Sequence, residues 1–277
     1  SGLVGSEMCI RDSYNNISSV NLLHTAVRIF LIILLCCGIG VKGYATAWTT
    51  STAGPINNLA NWTDGTVAPT SFTTPGDTWT VTLAMTMPST GSWTLGTASS
   101  AAVTLTFATG GTFTISGAGG TATITVNGDM VFSGGTLSLG GAGTTENVNV
   151  TGNVTMNTGT ISSIASGTHL TINTTGTYNV TGGTHTTTGA GSTLTLNNHG
   201  DFIVTGGTFP AGGASGVLTV NCYGNGSFSG PCSMTNVGAG CTSVVHFMLP
   251  SASGTMMIDN TSTGTCLLYT SDAADDT

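Results

Sequence analysis

Apolar and polar residues alternate along most of the chain, and from Gly128 onward the alternation itself recurs with a period of about 24 residues, a length typical of repeat architectures. The phrase GDMVFSGGT returns as GNVTMNTGT, GTYNVTGGT, GDFIVTGGT and, in weakened form, GNGSFSGPC, opening at Gly152, Gly176, Gly200 and Gly224. A period of two within each repeat predicts strands with one buried face. A unit that cannot bury this face alone must stack on its copies, so the pattern predicts a solenoid with one coil per repeat.

Aligning the chain in rows of this length produces apolar columns that we expect to form the core. The columns contain Phe132, Met156, Val180, Val204 and Phe228; Val148, Ile172, Leu196 and Val220; and Met130, Val154, Tyr178 and Phe202. Glycine before the polar column Thr136, Thr160, Thr184 and Thr208 predicts a corner with positive φ. We therefore predict an all-β, single-stranded parallel β-helix (a β-solenoid), which we expect to be right-handed.

The rows continue upstream in a looser register. LTFATGGT at Leu105 has one residue more than MVFSGGT at Met130, which predicts a bulge, and TWTVTL at Thr78 is typical of an earlier strand. The stretch from Trp48 to Thr74 fits no row, and its tryptophans and turn residues predict a cap over the open strand edge. We expect the cap and first coil over residues 48–100 and the solenoid repeats over 101–265.

Both ends of the chain carry segments that are excluded from the fold prediction. MCIRDS and CLLYTS can be translated from the two strands of one inverted-repeat sequencing adapter, so residues 1–13 and 266–277 are interpreted as adapter-derived. Residues 14–47 are interpreted as a secretory signal peptide, because an apolar run follows Arg28 and Ala45-Thr46-Ala47 offers a small-x-small cleavage site. A retained membrane anchor flanked by Lys42 is the alternative.

The charge distribution bears on the partners of the mature segment. Between Trp48 and Thr265 the chain contains no Lys and no Arg, and the formal net charge of the whole chain is -8. A phosphate backbone or an anionic membrane surface would find no counter-charge on this segment. We expect no nucleic-acid partner and no membrane insertion of the mature domain.

The opening of the mature segment adds a resemblance. WTTSTAGPINNLANWTDGTVAPT, followed by Gly/Thr-rich coils, resembles the start of secreted bacterial β-solenoid surface proteins of the adhesin type. The resemblance covers residues 48–265. It implies a secreted or cell-surface location and glycans or other cell-surface components as partners, and it brings no catalytic residues.

The most regular outward surface predicted from the rows is a double file of hydroxyl and amide side chains. Its members are Thr123, Asn147, Thr171, Thr195 and Thr219 beside Thr125, Asn149, Asn173, Asn197 and Asn221. A flat ladder of this kind suits binding to a glycan or to ice. The alternative is that each side chain hydrogen-bonds its copy in the next coil.

Residues with catalytic or metal-binding chemistry are scattered over different columns. Asp129 and Asp201 share a column but stand three coils apart, about 14 Å, whereas glycosidase carboxylate pairs need about 5 to 9.5 Å. We therefore favour an Asx-type turn position for them. Glu146 falls in a leucine column, where we expect the coil to loosen and release it to solvent, and His185 is expected to be a neutral, packed histidine. We predict no catalytic residue, no metal site and no cofactor.

Cys222, Cys232 and Cys241 cluster near the end of the repeats. An exported chain permits a disulfide, so we expect one bridge among them, with all three pairings open.

Three functional hypotheses follow. The first is a non-enzymatic secreted or cell-surface structural or adhesion protein, of which this chain is the N-terminal part. The second is an ice- or carbohydrate-binding solenoid that uses the Thr/Asn double file. The third is a fragment of a β-helix polysaccharide-degrading enzyme.

Overall fold

A computed structural model describes residues 45–98, 102–229, 232–233, 239, 241–247, 257–258 and 267–270. The predicted signal peptide up to residue 44 and the first adapter-like segment lie outside these residues. The described part is all-β, with one turn of 3-10 helix at Leu59–Asn61 and no α-helix. None of its helices is long and apolar enough to cross a membrane. The predicted parallel solenoid with coils of about 24 residues is confirmed.

The strands are short and follow one another around each coil. In chain order they are β1 Ala47–Thr50, β2 Gly54–Pro55, β3 Trp62–Thr63, β4 Thr78–Val81, β5 Ala84–Pro88, β6 Ser92–Leu95, β7 Val103–Ala108, β8 Thr112–Ser116, β9 Thr121–Val126, β10 Gly128–Leu139, β11 Thr145–Val150, β12 Val154–Ser163, β13 His169–Thr174, β14 Tyr178–Val180, β15 Thr184–Thr187, β16 Thr193–Asn198, β17 Phe202–Val204, β18 Gly207–Thr208, β19 Val217–Cys222, β20 Gly226–Phe228, β21 Cys232–Ser233, β22 Thr242–Phe247, β23 Met257–Ile258 and β24 Leu267–Thr270.

Two sheets are built from these strands. Sheet A has 16 strands and contains the succession β4, β7, β10, β12, β14, β17 and β20, whereas sheet B has 8 strands, in the order β6, β9, β11, β13, β16, β19, β22 and β24. Parallel partners in the central coils, such as Asn149 and Asn173, are 24 residues apart. Each residue therefore lies directly above the equivalent residue of the preceding coil.

The predicted apolar columns form the core. Phe132 pairs with Met156, Met156 with Val180, and Val180 with Val204, and all four side chains are fully buried. Aromatic rings also stack between coils, with centroids 5.4 Å apart for Tyr178 and Phe202. Burying a large apolar side chain contributes about 1.5–3 kcal/mol, and the repeat adds such contacts coil after coil.

Glycine keeps the coils close in two different ways. At the corner, Gly183 has a φ of 85°, as predicted, and its equivalents Gly159 and Gly207 are also in the positive-φ region. Gly200, which opens a repeat, is not among the positive-φ residues. A Cβ there would lie 2.4 Å from the carbonyl oxygen of Gly176 in the preceding coil. The opening glycines therefore recur because stacked backbones approach closely, a cause that the corner argument does not supply.

The extra residue near Ala108 is present, but it lies in a turn between β7 and β8 and does not form the predicted bulge in a continuous strand. Ala108 lies opposite both Ser133 and Gly134 of the next coil, where the register shifts. The extra residue is absorbed by a turn at Thr109 and Gly110. β7 and β8 are consequently separate strands, whereas β10 continues past both of them.

The N-terminal end is closed by an antiparallel strand and an aromatic cluster. β3 pairs antiparallel with β1, and Trp62 packs with its ring centroid 5.1 Å from that of Trp79. A cap is thus present, but β1 is itself a coil strand, because Trp48 pairs in parallel with Trp79. The row alignment missed β1 because the first coil is longer than the coils that follow.

The described C-terminal strand falls in a segment that we excluded from the fold. β24 pairs in parallel with β22, with Val244 opposite Leu267. Backbone hydrogen bonds on an open strand edge accept many sequences, and Leu-Leu-Tyr-Thr favours the extended conformation. The adapter origin of this segment, the signal peptide and the right-handed coil stay predictions.

The close approach at the opening glycines predicts that an added methyl group destabilises the fold more at these positions than at a glycine with free space around it. Gly200→Ala should lower the free energy of unfolding by about 2 kcal/mol, because the new Cβ meets a backbone carbonyl. Gly140→Ala is the control, since its Cβ would lie 3.4 Å from the nearest atom, an ordinary contact. Thermal unfolding followed by circular dichroism measures both, and equal shifts of the two midpoints would contradict the close-approach explanation.

Candidate functional site

The predicted double file lies on the outward face of sheet B. The structure aligns the first file as Thr123, Asn147, Thr171, Thr195 and Thr219, and the second as Thr125, Asn149, Asn173, Asn197 and Asn221. All of these side chains are half-buried, and the residues between them point into the core. The structure therefore brings the predicted residues together on one face in continuous register.

The asparagines of the second file are joined to one another along the solenoid. The amide nitrogens of Asn173, Asn197 and Asn221 donate to the side-chain oxygens of the preceding asparagines over 2.9, 2.9 and 2.8 Å. Asn173 and Asn197 thus use their side chains both as donor and as acceptor. Consecutive hydrogen bonds of this kind polarise one another and stabilise the sheet.

The threonines of the first file differ from the asparagines beside them. Among the described residues, the hydroxyls of Thr171, Thr195 and Thr219 have no hydrogen-bond partner, so they remain available to solvent or to a ligand. A third file runs beside the first, and in it His169 Nδ1 lies 2.9 Å from Thr193 Oγ1. The outward face of sheet B therefore combines one hydrogen-bonded asparagine ladder with one row of threonine hydroxyls that have no partner among the described residues.

The column of Asp129 and Asp201 on sheet A has a structural role. Asp129 Oδ1 accepts the backbone N–H of Asn153 over 2.7 Å, and Asn153 Oδ1 accepts that of Thr177 over 2.9 Å. Asp201 Oδ1 likewise accepts from the side chain of Asn225. These bonds join consecutive coils, whereas an Asx turn would join residues two apart in one coil. The predicted turn role is corrected in that respect: the carboxylates link coils.

Glu146 is buried, contrary to expectation. Its side chain has no exposed surface, and it pairs with Ala122 on one side and Leu170 on the other. The coil does not loosen, because the backbone of β11 forms a full ladder with β9 and β13. The regular register therefore holds a carboxyl group between the apolar residues Ala122 and Leu170.

The contacts of Glu146 favour its protonated form. Thr144 Oγ1 lies 2.7 Å from the carbonyl oxygen of Gly141 and within hydrogen-bond distance of Glu146 Oε1. One hydroxyl proton cannot serve both acceptors, whereas the acid form of Glu146 donates its own proton to Thr144. Burial raises the pKa of Glu146 to about 7. Glu146 Oε2 has no partner among the described residues, which also favours the neutral form.

His185 is the neutral, packed histidine that its column predicts. Its ring stacks on Phe209 with centroids 4.6 Å apart, and Nε2 lies 2.7 Å from the hydroxyl of Tyr178. Burial lowers the pKa of His185 to about 3 and raises that of Tyr178. The pair is therefore uncharged and belongs to the core.

The other histidines that the structure describes lie in other columns. His169 and His246 are on the outward face of sheet B in different files, and His199 stacks on Tyr223 with centroids 4.5 Å apart. Within the described ranges, no group of three or more His, Cys, Asp or Glu side chains could hold a metal ion.

The cysteines do not form the expected bridge where the structure describes them. Cys222 and Cys241 are free thiols, and their sulfur atoms lie 3.3 Å from Gly224 O and 2.7 Å from Gly213 O. Burial raises the pKa of Cys222 to about 11. The Cys222–Cys241 pairing is therefore corrected, since each sulfur is directed at a backbone carbonyl. Either pairing with Cys232 would also use one of these two free thiols, so the structure forms none of the three predicted bridges.

Asp77 is a structured polar site that the sequence analysis missed. The side chain is 1% exposed; Oδ1 accepts the backbone N–H of Thr46 over 2.8 Å, and Oδ2 accepts Trp48 Nε1–H over 2.7 Å. The sequence feature that could have indicated this site is the position of the aspartate, directly before a tryptophan-containing strand. Its partners lie about one long coil earlier, where the regular repeat spacing fails.

Comparison with known proteins adds no functional assignment. No protein-family model, no curated protein and no solved structure matches the chain. A function for this chain therefore has to be inferred from the geometry of the described residues.

The buried Glu146 predicts a specific dependence of stability on pH. Its pKa is 4.5 when exposed and about 7 in the fold, so its contribution to stability is complete below pH 4.5 and is lost as the pH rises to about 7. Glu146→Gln should abolish this component and should be more stable than the wild type at pH 8. Unfolding midpoints of both proteins between pH 4 and 9 test the prediction. Because both proteins contain His185, its contribution cancels when the midpoint of one protein is subtracted from that of the other. Parallel pH curves would contradict the burial of a protonated Glu146.

Proposed function

We propose that this chain is the N-terminal part of a non-enzymatic structural or adhesion protein that is secreted or carried on the cell surface. Its solenoid provides a stiff support, and its partners are glycans or other cell-surface components. Neither nucleic acid nor membrane insertion of the mature domain is part of the proposal, because the segment from Trp48 to Thr265 contains no Lys or Arg.

The asparagine ladder carries the proposal. Three side-chain hydrogen bonds join Asn149, Asn173, Asn197 and Asn221 across four successive coils. Side chains that hydrogen-bond their own copies are held in place by the fold before any ligand arrives. An outward ladder of this kind supports a structural role, because it resists separation of the coils along the direction in which the repeat propagates.

The open threonine file supports a second candidate, a binding surface for carbohydrate or ice. Thr171, Thr195 and Thr219 repeat at the inter-strand spacing of about 4.8 Å, and their hydroxyls have no hydrogen-bond partner among the described residues. Regularly spaced hydroxyls on a rigid sheet suit a ligand with a repeating array of polar groups. This binding surface lies on the same face of sheet B as the asparagine ladder. Mutations in the threonine file and in the asparagine file distinguish the two roles.

The two files predict different effects on stability. Asn173→Ala with Asn197→Ala removes three hydrogen bonds and should lower the free energy of unfolding by about 2 kcal/mol. Thr171→Val with Thr195→Val lies on the same strands, keeps the side-chain shape and should change it by less than about 0.5 kcal/mol. Chemical unfolding monitored by circular dichroism measures both. Equal losses would contradict a structural ladder confined to the asparagines.

The functional proposal is tested by assaying the purified chain for binding and for turnover on a panel of polysaccharides. We expect retention on at least one cell-surface glycan without release of new reducing ends or unsaturated sugars. Measurable turnover would overturn the non-enzymatic proposal.

The same binding assay, together with a measurement of ice-crystal growth, distinguishes the structural or adhesion role from ligand binding at the threonine file. Replacing Thr171, Thr195 and Thr219 by Tyr should abolish binding at the threonine file without lowering the unfolding midpoint. The matched control replaces the sheet A threonines Thr136 and Thr160 by Tyr. If the sheet B variant binds as the wild type does, the threonine file is not the binding surface.

A further inference from the structure

We propose that the signal peptide is removed after Ala45, so that Thr46 becomes the mature N-terminus, and that its new α-ammonium group forms an ion pair with buried Asp77. The inference rests on the proposed secretion of the chain and adds to it the processing site and a structural role for the group that processing creates.

The first support is the position of the Thr46 nitrogen. It already donates to Asp77 Oδ1 over 2.8 Å, while Trp48 Nε1 donates to Oδ2 over 2.7 Å. Asp77 is 1% exposed, and a carboxylate shielded from water is unfavourable unless hydrogen bonds and a counter-charge compensate it. Converting the amide nitrogen of Thr46 into an ammonium would supply the counter-charge at the same atom.

The second support is the distribution of basic residues. The three basic residues of the chain are Arg11, Arg28 and Lys42, and all precede the cut. The segment from Thr46 onward therefore contains one amine, its own α-amino group, which titrates at about 7.7–8.0 in unstructured peptides. Histidine aside, this group is the only source of positive charge within residues 46–277.

The third support distinguishes between two possible cleavage sites. Gly43-Tyr44-Ala45 has the same small-x-small pattern as Ala45-Thr46-Ala47. A cut after Ala47 would remove one of the two donors to Asp77, the Thr46 carbonyl that accepts from Thr78 N over 2.9 Å, and the pairing of Ala47 with Thr78. A cut after Ala45 preserves all three contacts, so the structure favours a site two residues before the one expected from sequence.

The reaction itself is peptide hydrolysis by a signal-peptide endopeptidase of the exporting cell. One water is consumed as the C–N bond between Ala45 and Thr46 breaks. Ala45 leaves with a carboxylate, and Thr46 keeps the nitrogen, which takes up a proton to become the ammonium beside Asp77. Processing thus replaces a neutral hydrogen-bond donor by a charged one, and charge-assisted hydrogen bonds are the stronger class.

The processing site is tested by expressing the full chain in an exporting bacterium and determining the intact mass and N-terminal residue of the exported protein. We expect a chain that begins at Thr46. An exported protein that begins at Trp48 or elsewhere would overturn the proposed cut while leaving secretion intact. Retention of the uncut chain in the cytoplasm would instead overturn the proposed secretion, and the processing site with it.

The ion pair is tested by the rate at which an acylating reagent modifies the single amine of the exported protein. Pairing with Asp77 raises the pKa of the ammonium, so the folded protein should react about tenfold more slowly than the urea-unfolded protein. Asp77→Asn should accelerate the reaction in the fold, whereas Asp64→Asn, an exposed cap carboxylate, should leave it unchanged. Equal rates for folded and unfolded wild-type protein would overturn the ion pair, and this comparison remains decisive if Asp77→Asn does not fold.

Discussion

The structure depends on hydrogen bonding between the backbones of successive coils in a parallel register. Thr181 N donates to Met156 O over 2.9 Å, and Thr205 N donates to Val180 O over 2.8 Å one coil later. Because coils repeat at about 4.8 Å, every side chain has its own equivalents as nearest neighbours along the stack. The residues of each column must therefore be of a kind that can pack against its own copies. Apolar residues and asparagines do so, whereas like charges directly above one another repel. The neutral residues that separate Asp129 from Asp201 in their column satisfy this requirement.

Ionisable groups inside the stack illustrate the same constraint. Glu146 and His185 occupy core columns, and the fold favours the neutral form of each, since burial raises the pKa of the first and lowers that of the second. Asp77 lies at the N-terminal end, where the repeat begins and the neighbouring backbone supplies a donor. A buried carboxylate is thus accommodated at the N-terminal end of the coils, while the core of the described solenoid relies on packing and on neutral hydrogen bonds.

Much of the fold was predictable from sequence because the repeat converts residue number directly into position. The column of Phe132 and its equivalents, the corner at Gly183 and the extra residue near Ala108 all follow from spacing and alternation. The burial of Glu146 was not predicted, because local sequence does not reveal that the backbone ladder outweighs the cost of a buried carboxyl group. The partners of Asp77 were missed since the first coil departs from the regular period. Binding chemistry was the least predictable part: the Thr and Asn files look alike in sequence, and the structure shows that they differ in hydrogen bonding.

The most direct test of the central claim is the measurement of scalar couplings across backbone hydrogen bonds by nuclear magnetic resonance. The account predicts that the amide of Thr205 couples to the carbonyl carbon of Val180, and that of Thr181 to Met156, each in the preceding coil. Couplings that instead link these amides to sequence-adjacent strands, as in antiparallel hairpins, would contradict the stacked-coil structure and the functional proposals that depend on it.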